Sequence, residues 1–268
     1  MKTRIVLQTL AAAVALLAAG VASATPVYPT FTLGAAGGNI VANDINGQYN
    51  ELITFTDATH FSISLNFIAG QFNLDDTAGS TSYTAADDNL GAKGGYGLLA
   101  LFNGTGTYTT GSGGAATFTL DSGGALSLYY DAAQNATAKP GAKFTQTGAT
   151  WTLNANGDTL TTLANGNALS GTGNQSCVGG NDCGSFGQTT SFNLTPAGSS
   201  FFVDPVPFYP LSLQSGQFEG VTVAEGATQL VEGSLNAVFQ GVPEPMDVAL
   251  VGVALLGLGL AVKRRRSL

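Results

Sequence analysis

The 268-residue chain holds one histidine, two cysteines, one tryptophan and nine basic residues. Each shortage excludes a class of chemistry. With His60 alone, and Cys177 and Cys183 expected to pair with each other in an oxidising compartment, the usual nucleophile–base sets cannot be assembled. Zinc would need two ligands beyond that pair, and His60 is remote from it in sequence. Between Thr25 and Gly241 three basic residues stand against 15 acidic ones, a net charge of about −12. Such a surface lacks the basic footprint that nucleic acid or anionic lipid requires. No segment in that stretch sustains a helical period.

What is present begins at the two ends. Lys2 and Arg4 precede an apolar run from Ile5 to Ala19, and Ala22-Ser23-Ala24 forms an A-x-A cleavage site. This is the pattern of a secretory signal peptide over 1–24, with Thr25 as the first mature residue. At the other end, Val242-Pro243-Glu244-Pro245 precedes an apolar run to Val262, which is followed by Lys263-Arg264-Arg265-Arg266. As a helix, Met246 to Val262 would be about 25 Å long, enough for a thin bilayer. The four cations would stay cytoplasmic and place the preceding chain across the membrane. A buried C-terminal core helix is the alternative, and four consecutive cations argue against it.

The stretch 25–241 reads as a single all-β domain, a β-sandwich or jelly roll. In Phe61-Ser62-Ile63-Ser64-Leu65-Asn66-Phe67 the apolar residues share one face and small polar residues the other. Thr117–Leu120 and Leu126–Tyr130 read as a hairpin closed by Asp121-Ser122-Gly123-Gly124. Val231, Leu235 and Phe239 mark a strand near the end. The glycine-rich stretches 104–114 and 165–184 read as loops. Pro205, Pro207 and Pro210 confine 204–210 to an edge or an extended crossing segment. The 15 phenylalanines argue for a core over disorder.

Chemistry-bearing candidates are sparse. Cys177 and Cys183 enclose Val-Gly-Gly-Asn-Asp, and an exported protein would bridge them to rigidify one turn. His60 reads as a strand-end histidine. Asp75-Asp76, Asp87-Asp88, Asp121, Asp131 and Asp158 could supply a glycosidase pair, but solvated loops are the plainer reading. Asn154-Ala155-Asn156-Gly157-Asp158 echoes a calcium loop without the closing bidentate Glu. Structural calcium is the one cofactor that the acidic excess would suit. Trp151, Tyr129, Tyr130 and Tyr209 would stack on sugars if exposed, although aromatics in strands ordinarily pack in cores.

The tail, with Pro243-Glu244-Pro245, an apolar helix and a basic terminus in that order, resembles the PEP-CTERM sorting signal of Gram-negative bacteria. That resemblance implies export by the Sec machinery, transient parking in the inner membrane, cleavage near the motif by an exosortase, and delivery to the cell surface or an exopolysaccharide matrix. Met246 stands where many members carry a small residue. Thr54-Phe55-Thr56, Tyr96-Gly97-Leu98-Leu99-Ala100-Leu101-Phe102-Asn103-Gly104-Thr105-Gly106-Thr107, Pro205-Val206-Pro207-Phe208-Tyr209, Gln214-Ser215-Gly216-Gln217-Phe218 and Gly233-Ser234-Leu235-Asn236-Ala237-Val238-Phe239 resemble the flocculation-associated PEP-CTERM proteins. This implies a non-enzymatic part in cell aggregation alongside exopolysaccharide, and it assigns no catalytic residue. A secreted carbohydrate-binding module is the alternative, and a glycan-active enzyme using two aspartates is the third reading.

Overall fold

The computed structural model describes residues 28–74, 84–87, 95–132, 143–175, 184–218 and 221–241. Ala22, Ala24, Thr25, Cys177, Cys183, Val242–Pro245 and Lys263–Arg266 lie outside these, as does the apolar run of the tail. Among the described residues no helix is long and apolar enough to cross a membrane. They all belong to one unit.

In chain order the strands are β1 Phe31–Leu33, β2 Val41–Ala42, β3 Asp44–Phe55, β4 His60–Leu74, β5 Thr84–Asp87, β6 Gly97–Thr110, β7 Ala116–Leu120, β8 Gly123–Asp131, β9 Lys143–Thr147 and β10 Thr150–Asn154. There follow β11 Leu160–Gln175, β12 Gly184–Ser191, β13 Asn193–Leu194, the helix α1 Pro196–Phe201, β14 Phe202–Asp204, β15 Leu211–Phe218 and β16 Thr228–Gln240.

The all-β expectation holds, and the pairings add a closure that periodicity did not reveal. β3 pairs β4, β4 pairs β6, and β6 pairs both β7 and β8. β7 and β8 pair β11, from which the ladder runs through β12, β15 and β16 back to β3. Every one of these contacts is antiparallel. With β7 and β8 taken as one stave, eight staves form an up-and-down ring in sequence order.

Alternation then assigns two faces. Tyr49, Ile53 and Phe55 of β3, Phe61, Leu65 and Phe67 of β4, and Val231, Leu235 and Phe239 of β16 are buried inside. Gln48, Thr228, Glu232 and Ser234 stand exposed on the outside. This is the reverse of a membrane barrel, whose apolar residues face out.

Three local expectations are corrected. Asp121-Ser122-Gly123-Gly124 does not close a hairpin. β7 and β8 both run antiparallel to β6, and the register shifts between them, from Gly106↔Leu120 to Asn103↔Ala125. The turn-like glycines therefore make a bulge in one long stave, with Gly123 and Gly124 at φ 113° and 70°. Gly104 to Thr110 is strand β6, and Asn165 to Gln175 is strand β11. The glycines there make room for rings. A Cβ on Gly106 would lie 2.5 Å from the Phe61 ring, its direct cross-strand neighbour. Finally, the stretch expected to sustain no helical period contains one short helix, α1 over Pro196–Phe201, and β14 begins only after it at Phe202.

The two poles differ. At one, short connections join β3 to β4 and β6 to β7. At the other, β14-β1-β2 forms a small sheet beside an aromatic cluster in which Phe31 meets Phe72, Phe202, Phe208 and Phe239 edge to face at 5.2–6.4 Å. The proline segment crosses this pole after β14, the edge strand of that sheet, with Asp204–Pro205 and Val206–Pro207 both cis. α1 is anchored there by Thr195, whose Oγ1 accepts from Gly198 N at 3.0 Å and donates to Thr162 O at 2.7 Å.

Candidate functional site

The sequence candidates do not converge among the described residues. Asp121 is exposed and accepts from Thr105 Oγ1 at 3.0 Å, while Asp131 is fully buried on β8 beside β11. Asn154 closes a turn, its Oδ1 accepting from Asn156 N at 2.9 Å, and Asn156 and Gly157 take positive φ. That geometry uses the amide as an Asx turn does. Among the described residues no group of three or more metal-ligating side chains is found. Asp75, Asp76 and Asp88 lie outside the described residues.

His60 does sit at a strand end, as expected, but it has a partner that the sequence reading missed. Its Nδ1 lies 2.9 Å from Asp57, and Asp57 also accepts from the backbone N–H groups of Thr59 and His60 at 2.8 and 2.9 Å. Those bonds, the Thr59 amide first, hold the Asp57 carboxyl down to about 2. The pair is exposed and ties the β3–β4 turn.

The aromatic candidates are structural. Trp151 lies on the β9–β10 hairpin, which packs outside β4, and its backbone N–H donates to Ser64 Oγ at 2.8 Å. Tyr130 packs against Tyr96 and Phe201 with centroids 5.0 and 5.6 Å away. Tyr209 Oη donates to Thr30 O at 2.9 Å.

The polar groups set into an apolar lining are inside the barrel. Two adjacent cavities, each of about 60 Å³, share Leu65, Phe186 and Gln188 as walls. The first is bounded by Ile53, Phe61, Phe118 and Val231 and contains Glu51. Glu51 falls on the inward face because β3 alternates Tyr49, Glu51, Ile53, Phe55. Desolvation pushes its carboxyl up to about 7. The second cavity reaches Phe239 and carries Ser212 and Gln214 from β15. Gln214 Nε2 donates to Ser212 Oγ at 2.6 Å, and Ser212 Oγ also bonds Thr190 Oγ1. Gln214 Oε1 is buried with no hydrogen-bond partner. Neither Glu51 nor Gln188 is legible as a site residue in the sequence, because only the strand pairing shows that each lines the interior.

A third hollow of about 360 Å³ lies outside the ring at the proline pole, lined by Phe192, Asn193, Ser199, Phe208 and Pro210 among others. Its size falls within the usual range for small-molecule sites, whereas either interior cavity alone does not. Comparison with protein-family models, with curated proteins and with solved structures returns no match to this chain.

Proposed function

We propose that the chain is an exported surface or matrix protein that is processed by an exosortase and acts without catalysis in cell aggregation alongside exopolysaccharide. The observation that carries this reading is the course of β16. It is held by β15 up to Gln240↔Leu211 and by β3 up to Ala237↔Ile45, so the ring is complete before the Val242–Pro245 motif begins. A cut at the motif would release an intact barrel. The N-terminal residues attach at the same pole, where Tyr209 holds Thr30. The first and last described residues therefore lie at one end, and the opposite end carries the short turns. A polar, acid-biased outer wall suits a hydrated matrix.

Intact mass and location of the native protein, compared between wild type and a strain lacking the exosortase, test this. A released form ending near Pro243 in the wild type, and a tailed form in the mutant's membrane, is the expected result. Full-length chain persisting in the wild-type membrane would make the tail a simple anchor and overturn the reading. Deleting the gene should also disperse aggregates without lowering any hydrolytic activity.

A carbohydrate-binding module is the second reading, favoured by the 360 Å³ hollow at the proline pole with Asn193 and Ser199 beside Phe208. Titration with polymer fragments, with and without calcium, should then show saturation that Asn193→Ala weakens.

A further inference from the structure

The interior of the barrel holds polar groups for which no hydrogen-bond partner is found among the described residues. Glu51 and Gln188 line the first cavity, and no hydrogen bond from either side chain to another described residue is found. Gln214 Oε1, on the second cavity, is buried and unpaired. A cavity lined only by carbon stays dry, whereas two cavities that carry a carboxyl and two amides between them need a polar occupant. Most of the remaining lining is aliphatic or aromatic, which favours an occupant with one polar end. Its size is also bounded. A 150 Å³ apolar cavity accommodates benzene, with six heavy atoms, and the two cavities together offer somewhat less.

Leu65, Phe186 and Gln188 form the partition that the two cavities share. Phe186 is half-buried and rests edge-on against Tyr49 with centroids 5.5 Å apart. Its ring occupies space left by Gly216, where a Cβ would come within 2.5 Å of it. The two cavities meet at these shared residues, so an occupant of the first that extends toward the second passes Leu65 and Phe186.

We propose that the barrel interior is a binding site for a short alkylammonium ion, its head donating to the Glu51 carboxylate and the Gln188 side-chain oxygen and its chain lying past Leu65 and Phe186 into the second cavity. The sign of the head follows from Glu51, the only ionisable group among the residues lining either cavity. A carboxylate ligand would meet repulsion and desolvation together, and an alcohol would forgo the ion pair. The interior would thus select charge at one end and chain length at the other. This site is independent of the sorting reading, which concerns the outer pole and the tail.

The test uses the full chain in dilute detergent with n-butylammonium, which has five heavy atoms, against n-butanol and butyrate. Methyl resonances of Ile63 and Leu65 report the cavity, and Leu230, which is exposed on the outer wall, is the control. The expected result is saturable shifts at Ile63 and Leu65 with n-butylammonium, at least tenfold weaker binding of the other two probes, and at least a tenfold loss of affinity in Glu51→Gln. Should that variant fail to fold, Gln188→Leu replaces it, with several-fold weakening expected. Equal affinity for n-butanol would reduce the site to apolar filling and overturn the proposal. Shifts that do not saturate, or that appear equally at Leu230, would mean the cavities hold water only, and would overturn it as well.

Discussion

At the scale of single residues, the three perturbed carboxyls act on stability in two directions. Glu51 is pushed up to about 7 and Asp44 to about 6, both by burial, with Asn73 pulling Asp44 partly back. A carboxyl raised in the folded state favours folding fully below its unfolded value, and that contribution is lost as pH rises through the folded value. Asp57, held at about 2, works the other way, and its contribution disappears as pH falls below 4. Stability should therefore peak near pH 4 to 5 and decline toward pH 8. Glu51 contributes to the decline by on the order of 2–3 kcal/mol. Urea unfolding at pH 4.5 and pH 8 measures it, and Glu51→Gln should flatten much of the difference by stabilising the protein at pH 8. A decline of the same size in the variant would show that Glu51 is solvated inside the cavity and contributes little.

At the scale of elements, the barrel is built on pairs of a ring and a glycine facing each other across strands. Phe61 meets Gly106, Phe186 meets Gly216, and Tyr49 meets Gly233. A Cβ on Gly233 would come within 2.7 Å of the Tyr49 ring and 2.2 Å of Gln217 O. Gly233→Ala should therefore cost about 1–3 kcal/mol by overpacking, read as a lower denaturation midpoint. Gly187→Ala, on β12, where a Cβ meets nothing within 4 Å, is the matched control and should cost far less. The same pairs explain what the sequence made legible. Phe61 to Phe67 showed its alternation because large residues fill successive inward positions. Gly104 to Thr110 and Asn165 to Gln175 resembled loops because several of their inward positions are glycines, with the Phe61 ring against Gly106 and Leu120 against Gly171. Local periodicity cannot see such a partner. For the same reason Asp121 to Gly124 read as a hairpin: turn residues and bulge residues share the positive φ, and only the register on β6 distinguishes them. The cap of α1 was hidden more simply, in one turn of helix too short for a period. Thr195→Ala should cost about 1 kcal/mol for the lost cap. The further loss of its bond to Thr162 O should make the true figure larger.

At the scale of the whole molecule, closure decides how this barrel can associate. A sheet with free edges can recruit a second chain by strand pairing, and that would have been a direct route to aggregation. Here β3 and β16, the first and last staves, pair over ten residues from Thr228↔Thr54 to Ala237↔Ile45, and the ring has no such edge. Among the described residues, open edges remain on short elements such as β2 and β14. Among the described residues the most exposed large apolar side chains, Leu169, Val206 and Leu230, lie on separate elements, β11, the proline segment and β16. If aggregation is the role, contact between cells must then run through a polymer bridging many barrels. A barrel ending at Gly241 should accordingly sediment as a monomer at high concentration, and should form larger species only when matrix polysaccharide is added. Concentration-dependent assembly of the barrel alone, accompanied by new β-sheet signal, would mean that the short edges suffice for pairing and that the polymer is not required.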